Sequence, residues 1–193
     1  MRLAPSALLK IAGKVLLSEA KAVETLAKRL GKDFIKAVQL VSACRGRVIV
    51  TGMGKSGIIA HKIAASLSST GSPALFLHPA EGGHGDAGVV TKDDVLIAVS
   101  NSGETREVLD MLPLIKRLGA KLITLTGGTN STLAKNSDAV LNVGVREEAC
   151  TLGISPTSST TAALAMGDAL TIAVLNERGF KSKDYALLHP AGS

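Results

Sequence analysis

The chain has 193 residues, enough for one domain with a substantial core, and its 46% hydrophobic and 20% charged content marks a globular protein rather than a disordered one. The net charge of +6 would suit nucleic acid, but the basic residues are scattered, and with three Phe, one Tyr and no Trp there is no platform for stacking bases. A solvated basic surface or a field that favours an anionic small substrate fits better. Cys44 and Cys150 are too few and too far apart for a disulfide framework or a zinc cluster. No apolar run reaches the roughly 20 residues of a membrane span, and Lys10 and Lys14 interrupt the N-terminal apolar residues of any signal peptide. The expectation is a reduced, cytoplasmic protein.

Residues 6–30 carry Leu8, Ile11, Ala12, Val15, Leu16, Val23, Leu26 and Leu30 at helical spacing, with Gly31 as the stop. A second helix is expected over 33–43. These two helices, within residues 1–45, precede any strand and would cover a sheet edge or meet a partner subunit. Alternation follows: a strand over 47–52, a helix over 56–69, and strands over 73–78 and 94–100. A helix over 104–118, strands over 121–127 and 139–144, and a long helix over about 158–178 complete the series. The strands are continuous apolar runs, as strands buried on both faces are. The alternation predicts an α/β fold, a five-stranded parallel sheet sandwiched by helices, in one domain spanning 1–193. In such sheets a ligand sits beyond the carboxyl ends of the strands.

Three loops at those ends carry the chemistry. Gly-Met-Gly-Lys-Ser-Gly (52–57) fits the dinucleotide fingerprint, but the second strand ends in His78-Pro79 where an acidic residue would hold a ribose. What remains is a glycine turn offering N–H groups to an anion, with Lys55 either solvated or placed to neutralise a phosphate or polarise a carbonyl. Ser-Asn-Ser-Gly-Glu-Thr (100–105) supplies Ser100, Asn101, Ser102 and Thr105, uncharged groups suited to a phosphate monoester. Asn101 and Glu104 also have the spacing of a capping box. A second hydroxyl cluster, 155–161, opens the long helix. Between these, 78–88 holds His78, Glu81, His84 and Asp86 at spacing too irregular for a regular metal site, so substrate contacts or loop-ordering hydrogen bonds are expected. Glu107 and Glu148 are candidate general bases if burial raises their pKa; Glu104 and Glu147 read as solvated, and His61 as a histidine with no role.

Taken together, Gly-Met-Gly-Lys-Ser-Gly, His-Pro-Ala-Glu-Gly-Gly-His-Gly-Asp, Ser-Asn-Ser-Gly-Glu-Thr, the 148–161 segment and Tyr-Ala-Leu-Leu-His-Pro (185–190) resemble the sugar isomerase (SIS) domain of arabinose-5-phosphate isomerases, from about residue 35 onward. The resemblance implies a flavodoxin-like three-layer fold and interconversion of D-ribulose 5-phosphate and D-arabinose 5-phosphate, supplying the lipopolysaccharide sugar Kdo. It implies no cofactor and no metal, no nucleic-acid or membrane partner, and a homo-oligomer, dimer or tetramer, with sites at subunit interfaces. By position, Lys55, Glu107, Glu148 and His189 match the family's functional residues, with either glutamate as base. Ser56, Ser100, Ser102, Thr105 and Ser158 match its phosphate-loop positions; Asn101 and His84 complete the expected substrate contacts. Members commonly continue into a pair of CBS domains, whereas this sequence stops at His-Pro-Ala-Gly-Ser. The alternatives are a sugar-phosphate sensor that does no chemistry and an isomerase of another phosphosugar.

Overall fold

The computed structural model describes residues 3–189. The amino-terminal helix α1, Pro5–Ala27, starts with proline in its first turn, where the missing N–H is not needed. It ends three residues earlier than the periodicity predicts, and Gly31 instead opens α2, Lys32–Ser42, as an extended N-cap. Only Leu26 of α1 is buried; Leu9, Leu16 and Leu17 stand about 70% exposed or more on its outer side.

Five parallel strands follow, β1 Val48–Gly52, β2 Ala74–Leu77, β3 Val95–Val99, β4 Lys121–Thr126 and β5 Ala139–Asn142, in the order β2-β1-β3-β4-β5. Side chains alternate across the sheet and feed two cores. Val48, Val50, Ile97, Ile123 and Leu125 meet Ile63 and Leu67 of α3 (Gly54–Ser69) and Met166 and Leu170 of α8 (Ser158–Glu177). Ile49, Leu96 and Leu122 face the opposite layer, with Val108, Leu112 and Ile115. β1 and β3 are buried throughout, as continuous apolar runs require. The helices α3 and α8 touch closely, because a Cβ on Gly167 would lie 2.4 Å from Ile63. By length and composition the 20 residues of α8 are apolar enough to span a membrane, although the sequence predicts no run of that kind; half of that stretch is buried in the core.

The helix expected over 104–118 is two pieces, α5 Arg106–Leu109 and α6 Leu112–Leu118. Pro113, in the first turn of α6, has no N–H to continue a helix from α5. The 78–88 loop contains a short helix, α4 Pro79–Gly83, and a 3-10 turn, Asp86–Val89. Two further short helices, α7 Thr132–Lys135 and α9 Ser182–Leu188, complete the chain as described; Pro190, expected to end the tail, lies outside the described residues.

Candidate active site

The chain leaves β1 toward β2 on one side and returns to β3 on the other, so the loops after β1 and β3 part at their carboxyl ends and leave a crevice. A cavity of about 230 Å³ sits there. Met53, Lys55 and Ser56 enter it from the β1 loop and the start of α3, and Asn101 from the loop after β3. Pro156, Ser159 and Thr160 close it from the start of α8, over an apolar floor of Val99, Leu125 and Val143. Lys55 is exposed, so its ammonium reaches solvent or a ligand freely.

Glu148 stands behind this wall. Its Oε2 accepts the Thr157 N–H at 2.8 Å, the Thr157 hydroxyl at 3.1 Å and the Ser159 N–H at 3.2 Å. A carboxylate thus caps α8, the helix that presents Ser159 and Thr160. All three bonds fall on one oxygen, and no donor among the described residues bonds the other. Burial works to raise the pKa of this half-buried group, but the hydrogen bonds from Ser159 and Thr157 prevail and hold it below the usual carboxylate range. The condition set for a base, that burial raise its pKa, is therefore not met: the helix terminus supplies donors that the sequence does not place beside Glu148, and they hold the group as a carboxylate, the form that can accept a proton.

The 100–105 loop is ordered by its own hydroxyls. Ser100, buried, bonds Thr105 side chain to side chain at 2.8 Å and accepts the Gly103 N–H at 3.0 Å; Ser102 Oγ accepts the Glu104 N–H at 3.1 Å. The capping box that the spacing of Asn101 and Glu104 allowed does not form; Glu104 accepts a bond from the Thr132 N–H of α7 instead. Of this loop, only Asn101 lines the cavity.

Other expected residues lie apart. Ser158 is buried, its hydroxyl 3.3 Å from that of Ser18 on α1, so it faces that helix and not the cavity. Its successors Ser159 and Thr160 take the lining positions, which helical spacing signals, since Ser159 shares a face with the lining residue Ala163. Glu107 is half-buried in the first turn of α5, beside α4, and His84 is exposed at the end of α4. His78, Glu81, His84 and Asp86 do not gather; among the described residues no three His, Cys, Asp or Glu side chains form a metal-binding group. His61 is exposed and near Phe76.

His189 lies beyond the carboxyl-terminal end of α8. It caps α9, stacked on Tyr185 with ring centroids 3.8 Å apart and its Nδ1 3.0 Å from the Tyr185 carbonyl. The tail leaves from the end of α8 opposite Glu148, and the 20 residues of that helix rise about 30 Å. Arg178 pins this end by donating to the carbonyls of Gly71 and Val41.

The fold and the crevice are those of an open, parallel-sheet α/β domain with its cavity at the carboxyl ends of the strands, and residues 42–173 match the SIS domain model. The chain belongs to the SIS domain family. It is 55% identical over 175 residues to arabinose 5-phosphate isomerase KdsD of Pseudomonas aeruginosa, covering 91% of this chain and 54% of that one. Against KdsD of Escherichia coli K12 the identity is 49% over 183 residues, covering 94% and 56%. The chain thus spans about half the length of the curated relatives it matches. A solved structure from E. coli CFT073, in complex with A5P, superposes with a TM-score of 0.93 at 40% identity, covering 97% of this chain and all of that one.

Proposed function

We propose that this chain is an aldose–ketose isomerase that interconverts D-ribulose 5-phosphate and D-arabinose 5-phosphate. The observation that carries the reading is the full-length match to the E. coli CFT073 protein that holds A5P, at 40% identity. The KdsD relatives point to the same substrate.

In this reading Ser56, Asn101, Ser102, Thr105, Ser159 and Thr160 hold the phosphate through hydroxyls, an amide and N–H groups, without a metal. Glu148 removes the proton from the carbon beside the carbonyl. Lys55 stabilises the oxygen of the cis-enediol(ate) that forms. The same carboxyl returns the proton to the neighbouring carbon, and no electron acceptor is required. Glu148 is favoured over Glu107 because it borders the cavity wall and leaves one oxygen without a protein donor.

His189 moves protons between sugar oxygens, and it does so from another copy of the chain. A helix of about 30 Å separates it from Glu148 within one chain. The cavity, at about 230 Å³, lies below the ~300 Å³ at which small-molecule pockets begin, as a site lacking one wall would. The exposed leucines of α1 supply the interface of a homo-oligomer, a dimer or a tetramer. His84 contacts the sugar. The product feeds Kdo and lipopolysaccharide synthesis in the cytoplasm.

The test is turnover. Purified protein converts ribulose 5-phosphate to arabinose 5-phosphate, followed by NMR, and EDTA leaves the rate unchanged. No conversion would refute the assignment; loss in EDTA with recovery on adding a divalent ion would refute the metal-free mechanism.

A further inference from the structure

Glu104 belongs to the 100–105 loop but does not line the cavity, and the proposed reaction does not use it. Its Oε1 accepts the N–H of Thr132, the first residue of α7, at 2.7 Å. The other first-turn donors of α7 are taken alongside it. Leu133 N–H donates to the Gly103 carbonyl at 3.1 Å, and Ala134 N–H to Ser131 Oγ at 3.3 Å. Just before, the N–H groups of Gly127 and Gly128 both donate to the Asn101 carbonyl, at 3.0 and 3.2 Å, and the Thr126 hydroxyl donates to it at 3.3 Å. The two segments touch so closely that a Cβ on Gly103 would lie 2.0 Å from Ser131 Oγ, and one on Gly128 2.3 Å from the Ser102 carbonyl oxygen. The backbone donors that open α7 are thus satisfied largely by the back of the 100–105 loop.

We propose that Glu104 is a positioning residue that clamps this loop to α7 and so holds Asn101, Ser102 and Thr105 in the geometry that binds the substrate phosphate. The inference rests on the isomerase reading. Glu104 puts a negative charge on a loop that binds an anion, and removing the charge of a bystander tightens anion binding. Removing a clamp loosens it. Because the phosphate is held alike in ground and transition states, the loss falls on KM and not on kcat.

The test is steady-state kinetics with ribulose 5-phosphate, with inorganic phosphate as competitive inhibitor, on Glu104→Ala, Glu104→Gln and Thr132→Pro. Proline suits the first position of a helix, and Ser131 before it (φ −69°, ψ 167°) already has the extended backbone that proline imposes on its predecessor. Thr132→Pro therefore deletes the N–H that Glu104 accepts and keeps α7. Glu104→Ala and Thr132→Pro raise KM and the phosphate inhibition constant together, by about tenfold, with kcat within about twofold. Glu104→Gln keeps an acceptor without the charge, and its KM stays at or below the wild-type value. The double variant Glu104→Ala/Thr132→Pro adds little to either single change. An unchanged or lowered KM in Glu104→Ala or Thr132→Pro overturns the clamp, even if melting temperatures fall, and so does a rise in Glu104→Gln as large as in Glu104→Ala. Should either variant not fold, the other decides. A wild-type protein with no turnover defeats the isomerase reading itself, whereas normal wild-type turnover with unmoved variants defeats the clamp alone.

Discussion

Replacing Glu148 by glutamine separates its two roles. The glutamine oxygen can take the place of Oε2 and accept the same three hydrogen bonds from Thr157 and Ser159. The second oxygen becomes an amide NH₂, which cannot take a proton. Geometry is kept while the base is lost, so kcat falls by roughly 10²-fold or more and KM stays close to wild type. Three charge-assisted bonds become neutral ones, which costs about 1–2 kcal/mol of stability for a partly exposed group. That cost depends on pH in a defined direction. The folded pKa lies below the ordinary value, so the carboxylate's contribution is present above about pH 4.3 and is lost as pH falls through the folded pKa. Denaturant melts of wild type and variant therefore converge in acid. The kinetic assay runs the reaction in D₂O and follows deuterium entering the carbon beside the carbonyl, which the variant does not exchange at the wild-type rate. If kcat stays within about threefold of wild type, Glu148 is not the base and Glu107 on α5 takes its place.

Mixing two inactive variants, Lys55→Ala and His189→Ala, after joint unfolding and refolding restores part of the activity, because some sites then draw both residues from undamaged chains; an inactive mixture, with mixed oligomers verified by mass, sinks the shared site. Asp94 is buried and accepts the N–H groups of Arg47 and Thr91 at 2.6 Å each. Asp94→Ala removes the acceptor of both donors and lowers stability by about 1–3 kcal/mol, read by chemical denaturation, with KM unmoved for the fraction that folds. Cys150 has its thiol pKa lowered, chiefly by the backbone N–H groups of Leu152 and Ser155, whereas burial raises that of Cys44. Iodoacetamide at pH 8 accordingly labels Cys150 before Cys44, checked by peptide mass, and activity falls with the first label because Glu148 is two residues away; faster labelling of Cys44 contradicts the assignment.

The sheet was legible because burial on both faces leaves a mark along the chain itself. The runs 48–52 and 95–99 need no distant partner to be read as inner strands. The break between α5 and α6 had a local sign too, Pro113, which the apolar spacing of that segment masks. That Lys55, Ser56 and Asn101 line the crevice was legible because the carboxyl ends of all strands share one edge of a parallel sheet. What failed to show was whatever depends on a contact between distant segments. Glu148 gains its donors from residues nine and eleven positions on, and Glu104 finds its own past the neighbouring strand at Thr132. Ser158 turns toward Ser18, 140 residues earlier, and so yields the cavity to Ser159 and Thr160. The short helices α4 and α7 are likewise too brief for periodicity to register.

The stacked pair of Tyr185 and His189 makes the carboxyl-terminal tail optically self-reporting. The chain has one tyrosine and no tryptophan, so emission excited on the long-wavelength side of phenylalanine absorption comes from this one ring. An imidazole stacked 3.8 Å from the phenol and nearly parallel to it, at 14°, sits within quenching range. Displacement of His189, by a neighbouring chain or by a ligand, therefore changes the emission of the whole protein without any introduced dye. The tail can be followed in a stopped-flow fluorimeter at concentrations where the rest of the molecule is dark.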